Sequence, residues 1–144
     1  MREIISYPDV RLIQKSRPVN LEIDMPLVKS LIEDMKFYIG DSSGVAAVQL
    51  GEPIRLFSFN FGAEVVFIIN PEIIKHSPKT MNSEEGCLSL PVNERRVMKR
   101  WKQVTLRGML IDGTIKTFST RDISCRIIQH EMDHLNGVLI NTKV

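Results

Sequence analysis

Gln129-His130-Glu131-Met132-Asp133-His134 is the run that most restricts how this chain can fold. On a helix, two histidines four residues apart stand about 40° apart around the axis and one turn apart along it, close enough to grip one metal ion. Glu131 lies between them near the same face, where a base for a metal-activated water belongs. The chain has three histidines, and this run takes two of them.

The rest of the chain must build a core around that helix. With 144 residues, 43% of them hydrophobic and 25% charged, it has the length and composition of one globular domain, residues 1–144. Nineteen basic against seventeen acidic residues leave a net charge of +2, too balanced for nucleic acid as a direct substrate. The basic stretch Arg95, Arg96, Lys99, Arg100 and Lys102 reads as a solvated strand edge. No leader-like start and no apolar run near ~18 residues are present, so the reading is a cytoplasmic protein without a membrane partner. Cys87 and Cys125 are then reduced thiols.

Residues 1–24 read as irregular, with turns at Pro8-Asp9 and near Pro18. A helix follows, capped by Asp24, tolerating Pro26 near its start and ending at Gly40; Leu27, Val28, Leu31, Ile32, Met35 and Ile39 form its apolar face. After a loop-like stretch over 41–52, strands are predicted at Ile54–Phe59 and Val65–Asn70, joined around Asn60 and Gly62. Residues 76–83 are polar and read as a loop. Further strands are predicted near Arg96–Lys99, at Gln103–Leu110 and at Thr114–Phe118, the last two joined by the turn signal Asp112-Gly113. Ser119 or Thr120 caps a final helix, with Asp122 in its first turn; it runs through Ile123, Ile127, Ile128 and the histidines to Gly137. Strands first, a closing helix and no strand–helix alternation make the fold class α+β.

Two histidines hold a metal weakly, and a catalytic site usually has three protein ligands and one open position. The tail behind His134 contains no Asp, Glu, His or Cys, which turns the search upstream. Cys125, five residues before His130 on the same helix, points away and reads as a small core residue. His76 lies in a polar stretch, as a surface histidine would. Cys87 follows Gly86, which permits close backbone approach, and becomes the leading third ligand, against the plain alternative of a buried structural thiol.

Three ordered segments now carry a resemblance. Glu85-Gly86-Cys87-Leu88-Ser89 and Gln129-His130-Glu131-Met132-Asp133-His134 are similar to two motifs of the peptide deformylases. Ser42-Ser43-Gly44-Val45-Ala46-Ala47-Val48-Gln49 is similar to the third, with Ser42 where that family has a glycine. Tyr7-Pro8-Asp9-Val10-Arg11-Leu12 also looks like the family's opening, so the likeness spans essentially the whole chain. It resembles the short forms, found among phages, that stop soon after the histidine motif.

The resemblance implies antiparallel β-sheets packed around a central helix that carries the His-Glu-x-x-His motif. It implies a metallohydrolase that removes the formyl group from N-formylmethionyl peptides, the nascent chains, and releases formate. Cys87, His130 and His134 become the ligands of one divalent metal ion, natively Fe2+, with Zn2+, Ni2+ or Co2+ able to occupy the site. Such an ion lowers the pKa of a bound water from ~16 toward ~7. Glu131 then moves the proton, while the Gln49 amide and the Leu88 N–H face the oxygen on which charge builds. Gly44 and Gly86 leave room for the peptide backbone; Ile127, Val45 and Leu88 are candidates for the methionine pocket, with Arg95 or Arg96 at its mouth. Transient ribosome association stays open, because the further helix or tail of bacterial members has no counterpart after His134. The competing reading, a metallopeptidase on the same helix motif, lacks its usual downstream ligand.

Overall fold

The computed structural model describes residues 1–39 and 44–142. The expected helix stop at Gly40 and the Ser42 substitution lie outside them. Helix α1 (Leu21–Tyr38) begins earlier than Asp24 because Asn20 is the better cap: its side chain accepts the Glu22 N–H at 3.0 Å. Asp24 reaches back to accept the Asn20 N–H at 2.9 Å and pairs with Arg17, so it belongs to the first turn. Pro26 therefore sits inside the helix. Val28, Leu31, Ile32 and Met35 form its buried face, as their spacing predicts.

Seven strands lie among the described residues: β1 (Gly44–Ala46), β2 (Leu56–Phe61), β3 (Glu64–His76), β4 (Thr80–Glu85), β5 (Arg96–Trp101), β6 (Val104–Met109) and β7 (Ile115–Thr120). A five-stranded sheet runs β1-β2-β3-β6-β7, and β4 and β5 form a separate pair. All of these pairings are antiparallel. The turn after Phe61 uses Gly62 at φ 63°, and the Asp112-Gly113 turn uses Gly113 at φ 88° with Asp112 accepting the Thr114 N–H.

Two segments differ from expectation. Strand β3 continues six residues beyond Asn70, with a register shift between Ile69 and Glu72. Pro71 has no N–H to give a ladder there, and Asn70, at φ 51°, turns its amide to bond both Val19 N–H and Val19 C=O. Residues 80–85, the first four of them inside the expected polar loop 76–83, are strand β4. Its inward residues are Ser83 and Glu85, so burial alternates while hydrophobicity does not.

Helix α2 (Ile123–Leu135) is capped by Asp122, whose carboxylate accepts the Ser124 N–H at 3.1 Å; Ser119 and Thr120 instead finish β7. It ends with Gly137 N–H on His134 C=O and Val138 N–H on Asp133 C=O, a closure that needs Gly137 at φ 75°. α2 packs on β1, β2 and β5. Phe57, Phe59, Phe118, Ile128 and Leu135 fill the space on its side of the sheet. Val28, Leu31, Met35, Val45, Leu56 and Ile69 fill the other side, under α1. Both faces of β2 are thus covered, which explains why its first four residues, Ser58 included, are all buried. The N-terminal segment straps the two loops that matter next: Ile5 N–H bonds Gln49 C=O at 2.8 Å and Tyr7 N–H bonds Ser89 C=O at 2.9 Å.

Candidate metal centre and its cleft

The end of β4 and the outer face of α2 bring Cys87, His130 and His134 together, with one ligand atom from each lying within 4.8 Å of the others. Cys87 Sγ is 3.4 Å from His134 Nε2. Bonds of about 2.0–2.3 Å in a tetrahedral site separate its ligand atoms by about 3.5 Å, so a thiolate and two imidazoles at this spacing fit a transition metal. His130 donates from Nδ1 to Glu85 at 2.9 Å, which leaves its Nε2 for the cup. Burial opposes charge on His130, but the Cys87 thiol and the Glu85 carboxylate outweigh it and lift the imidazole to about 10. Those surroundings favour positive charge in the cup. Burial, with His130 and Arg100 nearby, keeps His134 neutral, the form that ligates.

Behind the cup lies an ion-pair network that the sequence did not reveal. Arg100, 2% exposed, binds Glu85 with two bonds of 2.8 and 2.6 Å and Asp133 with one of 2.7 Å. The Arg100 and His130 bonds overcome the burial of Glu85 and hold its carboxyl down at about 2. Arg100 is therefore not part of a solvated strand edge, although Arg95, Arg96, Lys99 and Lys102 are exposed. The available signal was strand period: Arg100 shares the inward face of β5 with Met98. Gln129 clamps α2 to β5, accepting the Trp101 N–H at 2.8 Å and donating to the Trp101 carbonyl at 3.0 Å. Cys125 is buried beside it in the core, and His76 is a surface residue stacked on Trp101 at 3.7 Å, so neither approaches the cup.

A cleft of about 270 Å³ opens onto the cup, and Gly44, Gln49, Gly86, Leu88, Ile127 and Glu131 are in its wall. Glu131 is 3% exposed, and Oε1 has no hydrogen-bond partner among the described residues. Burial pushes its carboxyl up to about 7, with Glu85 and Asp133 adding to the rise and His130 and Arg100 opposing it. A carboxyl in this range can both take and give a proton near neutral pH. Gly44 has no room for a side chain: a Cβ would stand 2.6 Å from Ser58 C=O and 2.9 Å from both Glu131 Oε2 and Ile127 Cγ2. Gln49 sits in a tight turn, Ala47–Leu50, with Oε1 held by the Ala46 N–H at 2.9 Å. Its NH2 consequently points to Cys87 Sγ at 3.6 Å and Ser89 Oγ at 3.2 Å. Among the described residues no backbone acceptor takes the Leu88 N–H. The Val45 side chain is elsewhere: strand alternation turns it under α1, away from the cleft. Arg95 reaches the mouth, whereas Arg96 does not; Ile123 and Arg126 of α2 line the wall as well.

The sequence model of the polypeptide deformylase family matches residues 1–144. A peptide deformylase of Rhodopseudomonas palustris is 40% identical over 148 residues, covering 96% of this chain and 81% of that protein. The crystal structure of the Thermotoga maritima peptide deformylase superposes with a TM-score of 0.87 at 34% identity, covering 100% of this chain and 97% of that one. An Acinetobacter baumannii class I type b peptide deformylase bound to Met-Ala-Ser superposes with a TM-score of 0.91 at 25% identity, over 100% and 98% of the two chains. A buried carboxyl beside a cup of one cysteine sulfur and two imidazoles, held in a fold shared along its whole length with these enzymes, leaves one conclusion: the chain belongs to the polypeptide deformylase family, the metallohydrolases that remove the N-terminal formyl group from nascent peptides.

Proposed function

We propose that Glu131 is the proton carrier of the deformylation, with Gln49 Nε2 and the Leu88 N–H as donors to the formyl oxygen and Cys87, His130 and His134 as the metal ligands. The observation that carries this reading is the unpartnered, buried Glu131 carboxylate in the wall of the cleft that opens on the cup. When bound, a divalent ion supplies Lewis acidity, which makes a water nucleophilic near neutral pH. Glu131 accepts the proton that water gives up as its oxygen bonds to the formyl carbon. Gln49 and Leu88 face the negative charge that gathers on the formyl oxygen, and the Ala46 N–H fixes the amide so that Nε2 is turned toward the cup. Glu131 then returns the proton to the leaving nitrogen, the C–N bond breaks, and formate and a free amino terminus remain.

The peptide lies extended between two strand edges. β1 pairs only with β2 and β4 only with β5 among the described residues, and Gly44 and Gly86 stand where those edges meet the cleft. A backbone there takes hydrogen bonds as an added strand. Ile127 and Leu88 receive the methionine side chain. Fe2+ is the native ion in this reading; a thiolate with two imidazoles also suits Zn2+, Co2+ or Ni2+. Reaction with nascent chains in the cytoplasm, near the ribosome, agrees with two free thiols and with no helix among the described residues long and apolar enough to cross a membrane.

The test is an anaerobic assay of formate release from formyl-Met-Ala beside an internal peptide bond in an unformylated substrate. Formate from the first and no cleavage of the second supports the reading. Internal cleavage overturns it in favour of a peptidase.

A further inference from the structure

On α2, Ile123, Arg126, Ile127 and His130 face the same cleft. Three of these suit the chemistry already described. Arg126 does not: it is a half-buried cation beside the apolar Ile123 and Ile127 of the same wall. The other charged groups around it are matched. Glu84 pairs with Arg95 at 3.2 Å, and Glu85 pairs with Arg100 and His130. Glu131 is committed at the reacting end. Among the described residues, the Arg126 guanidinium has neither a hydrogen bond nor an ion pair. A partly dehydrated guanidinium with no acceptor is costly, and a ligand that brings an anion relieves the cost.

Position gives the place of that anion. Arg126 is four residues before His130, so it stands about 6 Å along the helix from the reacting end. An extended peptide advances about 3.3 Å per residue, so a chain leaving the cup toward the start of α2 passes Arg126 within the first residues after the methionine. We propose that Arg126 sets the enzyme's preference among substrates, favouring formylated peptides with an acidic side chain in one of the two residues that follow the methionine. The inference rests on the deformylase reading and deepens it. Backbone carbonyls also accept from guanidinium, but every peptide has them, so they confer no preference.

The experiment compares formyl-Met-Asp-Ala and formyl-Met-Ala-Asp with their lysine counterparts, all amidated at the C-terminus, as ratios of kcat/KM. The wild-type ratio of the better acidic peptide to its lysine counterpart is expected to be about fivefold at low salt and to shrink in 1 M salt. Arg126→Met is expected to bring the ratio to one, and Arg126→Glu to invert it. Because a ratio is read, partial loss of folded enzyme in a variant does not affect the result. Hydrolysis of formyl-Met-Ala-Ala with an acid-to-lysine ratio of one in the wild type, or a ratio unchanged in Arg126→Met, overturns the inference and leaves the deformylase reading intact. Failure to hydrolyse any formyl peptide overturns that reading first.

Discussion

The carboxylate of Glu85 accepts a hydrogen bond from His130 Nδ1 at 2.9 Å. Glu85 ends β4 and His130 sits in the middle of α2, so this contact ties the two-stranded sheet to the metal helix. Fixing Nδ1 decides which ring nitrogen faces the cup, and the bond to a carboxylate raises the basicity of that nitrogen.

Glu85→Ala is expected to weaken metal retention about 10–100-fold in competition with a chelator. It also leaves the Arg100 guanidinium without its bidentate partner, at a cost of about 3–5 kcal/mol in urea unfolding. Replacing Glu85 and Arg100 together by apolar residues should recover much of the stability and none of the metal affinity. A single variant that keeps wild-type affinity would show that Glu85 does not orient His130.

Glu131→Gln separates binding from proton transfer. The side chain keeps its size, and none of the three metal ligands is altered. Metal content is expected to stay near that of the wild type while turnover falls about 10²–10⁴-fold. Near-normal formate release from this variant would sink the role given to Glu131.

The cluster of candidate metal donors was legible in the sequence because these residues announce themselves by type and spacing. His130 and His134 are four apart, and the tail behind them is empty of donors, so Cys87 had to be sought upstream. The helices were legible from periodicity, down to the buried face of α1. What escaped had its determinants inside. Strand β4 turns Ser83 and Glu85 inward, so no apolar alternation marked it. Arg100 is charged and was placed with its exposed neighbours; only its register two residues from Met98, together with the distant Glu85 and Asp133, makes burial tolerable. Helix starts went to Asn20 and Asp122 because one side-chain oxygen in the right place decides a cap, and several nearby residues offered one.

Gly44→Ala tests the tightness of the cleft. A Cβ there meets Ser58 C=O, Ile127 and Glu131 Oε2 at once, and the first of these is backbone. The expected cost is about 1–3 kcal/mol of stability, with a fall in kcat as the carboxylate is displaced. Unchanged kcat together with an unchanged melting temperature would contradict the packing described.

The Asp24–Arg17 pair gives a pH-dependent signature far from the cleft. The Arg17 guanidinium, helped by the Asn20 N–H, holds the Asp24 carboxyl down at about 2 from an ordinary 3.8. A depressed carboxyl stabilises the fold fully above its unfolded value, and this stabilisation is lost as pH falls toward 2. Asp24→Asn is therefore expected to lower the urea midpoint at pH 7 and to make progressively less difference between pH 4 and pH 2. A gap that stays constant across that range would mean that Asp24 acts through packing or through its hydrogen bonds to backbone.

The strand edges of β1 and β4 that are proposed to receive the peptide have a consequence for timing. They ask an incoming chain for a straight run of free N–H and C=O groups, and a chain end loses that run once it coils into a helix or pairs elsewhere. On that proposal, selection by the cleft is a clock as much as a chemical filter: a polypeptide is a substrate while its first residues are still unfolded, and folding withdraws it.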